Sequence, residues 1–348
     1  MIESVFRRLK VRAELSLTTT GRGVLNQHEI YEMVREGLEC VENELARHSR
    51  SDIQLVDRIG QYLCGGGGKR VRPAILLLAS RLCGYDGPAS YRLGAVVELI
   101  HAATLVHDDI IDDAKVRRGR ASVNAQWGNE ITVLMGDWLY MTSFYLALEQ
   151  RRFEILDILT DATRKMVEGE LMQLSLNGSL DVTEGQHLDI SKRKTAYLFS
   201  ACSQIGAILG SAGAEKQELL RQYGLNIGVA FQLVDDVLDF TADETTIGKP
   251  VGSDLRGGML TLPLIYLLRD GRLEHRELVR RVLGENGSGG EPLEAVIRLV
   301  RESGAADRVL AKAHDYAVEA RSFLTGFPDS PTREALMAIP DFLVQRNR

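Results

Sequence analysis

LGAVVELIHAATLVHDDIIDD, residues 93–113, decides how this chain folds. Leu93, Val96, Val97, Ile100, Leu105 and Ile110 cover most of a helical surface, so the stretch reads as a long helix buried nearly all round. It closes on Asp108-Asp109-Ile110-Ile111-Asp112. Positions i and i+4 share a helix face, so Asp108 and Asp112 point the same way. The pattern returns at Asp235-Asp236-Val237-Leu238-Asp239, again in apolar, helix-favouring sequence. Such carboxylates are costly to gather unless cations neutralise them. A solvated acidic helix end would account for one motif. Two motifs embedded in apolar helix point instead to a polyanion handled through divalent metal. Mg2+ takes a few carboxylates and completes its octahedron with water and phosphate oxygens. Two facing helices in one bundle are therefore expected to clamp a diphosphate through several Mg2+ ions and make it a good leaving group.

Outward from these motifs the chain stays helical. Further helices are predicted over 29–48, 131–149, 153–174, 194–212 and 216–240. Gly65–Gly68, Asp86-Gly87-Pro88, Asn177-Gly178 and Gly287–Gly290 read as breaks. No alternating strand series stands out. The expected architecture is one all-α domain over residues 26–348, preceded by a mobile N-terminal extension over residues 1–25. The net charge of −6 over 348 residues argues against a nucleic-acid surface and confines any anion site to a pocket. Cys40, Cys64, Cys83 and Cys202 are scattered, without paired metal spacing, and suit a reducing cytoplasm. The N-terminus lacks the apolar core of a signal peptide. No transmembrane segment is expected: no uncharged apolar run reaches the ~18 residues a span needs. Leu93–Val106 comes nearest and is interrupted by Glu98 and His101.

Cations recur beside the acidic motifs. Gly67-Gly68-Lys69-Arg70-Val71-Arg72-Pro73 sets three directly after a glycine run, and Arg117-Arg118-Gly119 follows the first motif by a short loop. Lys194-Thr195 is expected to open a helix, where unpaired backbone N–H groups also favour anions. Lys249 falls in the loop after the second motif. Any one of these alone reads as a surface charge; together they read as diphosphate contacts. His101 and His107 are each open to two readings, core packing or a part in the site, and neither has a zinc-spaced partner. There is no Gly-x-Ser-x-Gly elbow and no Walker phosphate loop.

These motifs, in this order, resemble the trans-isoprenyl diphosphate synthases, the polyprenyl synthetase family. The likeness runs from about residue 25 to the C-terminus and adds Lys194-Thr195-Ala196, Phe231-Gln232 before the second motif, and Gly248-Lys249. It is closest in character to long-chain enzymes of the octaprenyl or heptaprenyl type. The resemblance implies an isoprenoid-synthase helical bundle with a central cavity, a homodimer, and head-to-tail condensation of isopentenyl diphosphate with an allylic diphosphate, farnesyl or geranylgeranyl. It implies Mg2+, three ions per site with substrate bound. Asp108, Asp112 and Asp235 would ligate metal directly, and Asp109, Asp236 and Asp239 would ligate or support through water. Lys69, Arg72, His101 and Arg118 would hold isopentenyl diphosphate. Arg117, Lys194, Thr195, Gln232 and Lys249 would hold the allylic diphosphate. An allylic cation formed in a dry pocket would be attacked by the isopentenyl double bond, with a proton lost to the departing diphosphate.

Many family members carry Lys after Asp-Leu-x-x-Gly, where this chain has Asp254-Leu255-Arg256-Gly257-Gly258-Met259. Met259 cannot pair with phosphate, and Arg256 is the nearest substitute. Product length is expected to depend on residues a turn before Asp108. One turn advances about 5.4 Å, close to an extended isoprene unit. In the family, Phe or Tyr at this level stops growth at fifteen carbons. Ala103 and Thr104 leave the tunnel open, implying a product longer than fifteen carbons, C30 to C50 with C20 as the alternative, and Trp138, Met141, Phe144 and Tyr145 are candidate floor residues. A class I terpene cyclase would lack the second Asp motif and the isopentenyl site. A non-catalytic subunit of a heteromeric synthase would lose acidic motifs, and this chain keeps both.

Overall fold

A computed structural model describes residues 25–117, 119–242, 251–269, 273–284 and 290–344. Residues 1–24, most of the expected extension, lie outside them, as do Arg118, Gly248, Lys249 and Gly287–Gly289.

Polar caps and proline start some of the helices. Asn26 opens α1 (Gln27–Met33) in a reciprocal box: its side chain accepts from the Glu29 amide at 3.1 Å, and Glu29 Oε2 accepts from the Asn26 amide at 2.7 Å. Backbone angles leave the helical region at Val34, so the helix predicted over 29–48 is two, α1 and α2 (Arg35–His48). α3 (Gln54–Cys64) and α4 (Val71–Leu82) follow. α5 (Pro88–Ile111) begins with proline in its first turn. It ends on Asp112 as C-cap, with Asp113 beyond it in the left-handed region at φ 48°. A two-residue antiparallel ribbon, β1 (Val116–Arg117) and β2 (Arg120–Ala121), comes next. Strands of two residues are too short to show alternation, so this ribbon is not legible in the sequence.

Helices α6 (Val123–Trp127), α7 (Asn129–Glu149) and α8 (Phe153–Leu176) lead to α9 (Glu184–Ser191). A π-helical turn, Lys192–Ala196, joins α9 to α10 (Tyr197–Leu209). The rest is helical too: α11 (Ala214–Thr241), α12 (Ser253–Arg256), α13 (Leu262–Arg269), α14 (Leu273–Gly284), α15 (Glu291–Glu302), α16 (Ala305–Phe323) and α17 (Pro331–Val344). The fold is all-α, as the helical periodicity predicts.

The chain groups into two compact units, each built from separated segments. The first comprises Met1–Thr163, Leu198–Gly224 and Ser322–Ile339. Its core is built on α5, enclosed through its middle, with Leu93, Val96, Val97 and Ile100 fully buried, and laid against α4 and α7. Towards its end only Ala103, Val106 and Asp109 are buried, so Leu105 and Ile110 are less enclosed than the sequence predicts. Gly136 permits the approach of α7: a Cβ there would sit 2.2 Å from His107 Nε2. The second unit comprises Arg164–Tyr197, Leu225–Arg321 and Pro340–Arg348. There Val229, Leu233, Val234, Val237 and Phe240 of α11 share a core with Leu262, Leu264, Val296, Val300 and Val309. At ~25 cal/mol per Å2 of apolar surface removed from water, such stripes dominate the stabilisation.

One described helix, α7, is long and apolar enough to cross a bilayer by length and composition. By run of apolar residues Leu93–Val106 comes nearest in the sequence; by helix length and mean hydropathy it is α7 instead. α7 buries Thr132, Met135, Gly136, Leu139, Ser143, Leu146 and Ala147 within the unit.

Candidate active site

In the first unit, Asp108 and Asp112 lie on consecutive turns at the end of α5, where the Asp112 amide donates to the Asp108 carbonyl at 2.8 Å. Asp108 is half-buried and Asp112 exposed. Asp109 points inward and is buried. Arg117 Nε donates to its Oδ1 at 2.5 Å, and Asn124 Nδ2 donates to its carbonyl at 3.0 Å. Burial raises the Asp109 pKa by more than Arg117 lowers it. The second aspartate of the motif thus anchors the hairpin that carries Arg117. Burial first, then the nearby charges of Asp108 and Asp137, push the Tyr140 hydroxyl far above its usual range.

The two histidines separate. His107 faces α7: its Nε2 is 3.1 Å from the Val133 carbonyl, which can only accept, and 3.5 Å from Asp137 Oδ1. His101 is half-buried and, with Asp109 and Arg117, borders a cavity of about 110 Å3. The same cavity is lined by Arg70 and Glu98 and backed by Leu99, Ala102, Leu105 and Val106.

The three cations of residues 69–72 also differ. Arg70 stands in the left-handed region at φ 47° just before α4 and turns inward to Glu42 and to Glu98, the latter at 2.9 Å. Burial works against its charge, but the two glutamates together raise its pKa. It is an internal ion-pair member. Lys69 is exposed, and its carbonyl accepts from the Tyr31 hydroxyl. The Arg72 guanidinium lies over the Phe199 ring, 4.6 Å from its centroid.

Of the chain-length candidates, Ala103 is fully buried, so no space borders its methyl group. Thr104 is half-buried, with its hydroxyl donating to the His101 carbonyl at 2.7 Å. Met141 and Tyr145, offered as floor residues, are 63% and 62% exposed; they lie on the outer side of α7 and do not line the interior of this chain. Trp138 and Phe144 are half-buried.

In the second unit, Lys194 and Thr195 do not open a helix. The Thr183–Gln186 capping box starts the run at Glu184, so both residues sit inside continuous helix, in the π-turn. The block of unpaired N–H groups expected there is therefore absent, and the side chains do the work. Gly169 lets α8 come close to the turn: a Cβ would be 2.6 Å from Arg193 Cβ and 2.9 Å from the Lys194 backbone nitrogen. Lys194 Nζ is 2.6 Å from Glu170 Oε2 and donates to Gln173 Oε1 at 3.0 Å. Thr195 Oγ1 donates to Gln232 Oε1 at 2.7 Å, and Gln232 Nε2 donates to Asp236 Oδ1 at 2.9 Å.

The second motif is also graded by burial. Asp235 is half-buried, while Asp236 and Asp239 are buried. Asp236 Oδ2 lies 2.7 Å from His187 Nε2. Asp239 accepts from Ser253 Oγ at 2.8 Å and from the Asp254 amide at 3.1 Å. Arg256 is exposed and Met259 half-buried at the end of this segment. Sequence reasoning missed His187, Glu170, Gln173 and Ser253. A signal existed for the first: His187, Ser191 and Thr195 recur every four residues, one helix face.

Among the described residues, no group of three or more His, Cys, Asp or Glu side chains is arranged to hold a metal ion by itself. The donors are hard carboxylate oxygens, which fit Mg2+ bound by one or two protein ligands and completed by phosphate oxygens and water.

An all-α fold with Asp-rich motifs on two helices, each with cations and donors set around it, is of the isoprenoid-synthase type. The chain belongs to the polyprenyl synthetase family, whose model matches residues 53–300, a family of divalent-metal-dependent prenyltransferases. It is 37% identical over 324 residues to octaprenyl diphosphate synthase of Escherichia coli (strain K12), covering 93% of this chain and 100% of that protein. It is 37% identical over 297 residues to the all-trans-nonaprenyl-diphosphate synthase (geranyl-diphosphate specific) of Rhodobacter capsulatus, covering 85% and 90%. The crystal structure of polyprenyl synthase from Caulobacter crescentus CB15, complexed with calcium and isoprenyl diphosphate, is similar with a TM-score of 0.90 and 36% identity, covering 94% of this chain and 100% of that one.

Proposed function

We propose that this chain condenses isopentenyl diphosphate head-to-tail with an allylic diphosphate, farnesyl or geranylgeranyl, to give an all-trans polyprenyl diphosphate of roughly C30 to C50. One observation supports this above the others. Each acidic motif has an inward carboxylate held by a protein donor, Asp109 by Arg117 and Asp236 by Gln232 and His187, beside a more open aspartate, Asp108 or Asp235. That division suits carboxylates that must meet cations without collapsing onto each other.

In this reading Asp108, Asp112 and Asp235 hold the Mg2+ ions of one allylic diphosphate. When bound, Mg2+ neutralises the diphosphate and makes it a leaving group. Arg117, Lys194 and Lys249 add charge at the same diphosphate. Lys69, Arg72, His101 and Arg118 receive isopentenyl diphosphate. Thr195 and Gln232, bonded to each other and to Asp236, lie with the groups that hold the allylic diphosphate. The departing diphosphate accepts the proton lost from the new unit. The active form is a cytoplasmic homodimer.

The test is an incubation of purified protein with Mg2+, labelled isopentenyl diphosphate and farnesyl diphosphate, with products resolved by length. The expected result is a polyprenyl diphosphate in the stated range that disappears when a chelator removes the metal. A cyclic hydrocarbon, or inactivity until a second kind of chain is added, would overturn the reading.

A further inference from the structure

His187 is buried at 7% exposure on α9 and meets Asp236, at 1%, through the 2.7 Å Nε2···Oδ2 contact. The other Asp236 oxygen is taken by Gln232, and the Gln232 carbonyl by Thr195. An unbroken run of bonds therefore leads from α9, through the second acidic motif on α11, to the π-turn that carries Lys194. Its polarity is fixed at each step. The Asp236 carboxylate only accepts, so Gln232 presents its amino group to Asp236 and its oxygen to Thr195, whose hydroxyl then donates. The carboxylate accepts twice, so the imidazole must carry hydrogen on Nε2. Ser191 Oγ donates to the His187 carbonyl at 2.9 Å and steadies the same turn of α9. Rotating any member would leave a buried group unpaired, which costs about 1–3 kcal/mol and more for a charge. A histidine that only filled core volume would not need its ring nitrogen on a motif carboxylate.

We propose that His187 is a positioning residue: its Nε2–H fixes the rotamer of Asp236 and, through Gln232 and Thr195, the register of Lys194 against the second acidic motif. The inference rests on the function proposed above, so its test is a binding measurement that does not need turnover. Two substitutions divide the possibilities. His187→Phe keeps the ring and removes the donor. His187→Gln places an amide N–H at the reach of imidazole Nε2.

Mn2+ affinity would be followed by electron paramagnetic resonance in the presence of a non-reactive allylic thiodiphosphate. His187→Phe is expected to weaken Mn2+ binding roughly 10–100-fold, the usual scale for losing a group that orients a metal site. His187→Gln should restore most of it. Binding of isopentenyl diphosphate should stay unchanged in both. If His187→Phe does not fold, His187→Asn replaces it: its shorter amide should fail where Gln succeeds. A folded His187→Phe with wild-type Mn2+ affinity would overturn the proposal. So would equal losses in Phe and Gln variants, which would mark a role in volume alone. Wild-type protein that binds Mn2+ with the analogue yet elongates nothing would sink the synthase reading and leave the His187 comparison intact.

Discussion

Ala103 and Thr104 are neighbours on α5, yet a phenylalanine at each would meet different surroundings. The Ala103 methyl group is wholly enclosed, so Ala103→Phe forces its ring into filled volume. Overpacking of this kind costs typically 1–3 kcal/mol. Thr104 is half-buried and makes only a local bond to the His101 carbonyl, so a larger side chain has somewhere to go. If the growing chain passes this level, Thr104→Phe should shorten the product by at least one isoprene unit at nearly unchanged Tm. Ala103→Phe should lower Tm first, and any shortening would come with that loss. Product ladders and melting curves of the two variants check this; a folded Thr104→Phe that makes the wild-type ladder overturns the assignment. Sequence sets both residues one turn before Asp108 but does not tell them apart. Glu98, His101 and Thr104 recur every three residues and mark one face of this helix, but Ala103 lies beside that face and the sequence does not say how far the face extends. On α7 the large apolar residues spread over most of the surface, so nothing local marks Met141 and Tyr145 as outward. In the Lys69–Arg72 run the loss was of another kind: three cations in four residues read alike, and only the long-range partners Glu42 and Glu98 show Arg70 to be structural.

Among the elements, the π-turn at Lys192–Ala196 does most to place chemistry. π-turns insert a residue into an α-helix and often sit at functional sites. Here the turn brings Lys194 to Glu170 and Gln173 while Thr195 reaches Gln232. Gly169 on α8 is the condition for this, because the atoms that a Cβ would strike include the backbone nitrogen of Lys194. Backbone cannot swing aside as a long side chain can. Gly169→Ala should therefore displace the turn, raise KM for the allylic diphosphate about tenfold and lower stability by ~1–3 kcal/mol. Steady-state kinetics with each substrate varied in turn would show it. An unchanged allylic KM would mean that the turn does not set the position of Lys194. Much of the element structure was legible beforehand: the long helices follow from periodicity, and the Thr183–Gln186 box that starts α9 is present in the sequence. What hid the π-turn is that no glycine or proline interrupts residues 186–209 except Gly206, so nothing local marks a change of pitch. Gly206 serves packing instead, since a Cβ there would lie 2.6 Å from Ala79 Cβ.

At the scale of the molecule, the outer side of α7 presents a row of apolar side chains that packing within its unit does not use. Val133, Leu134, Met141, Tyr145 and Leu148 are all exposed, on the side left over once the inner residues of α7 are buried. Isolated surface apolar groups are ordinary, but a contiguous row of large ones marks an interaction face. Two occupants fit a helix of this length, a bilayer or a second copy of the chain. The bilayer is the poorer fit. Asp137 lies in the middle of the same side and is mostly exposed, and a carboxylate at the centre of a membrane helix costs about 2.5–3.5 kcal/mol. The inner side of α7 is already committed to packing within its unit. A two-fold copy would lay the row against itself, and a stable interface of this kind needs about 800 Å2 per partner. Light scattering should accordingly give twice the chain mass at low micromolar concentration, with no flotation on neutral vesicles. The double variant Leu134→Glu, Met141→Glu should shift the mass to one chain while circular dichroism keeps its helical signal. Wild-type protein that stays monomeric at all accessible concentrations, or that floats with vesicles, would rule out the second copy as the partner of this face.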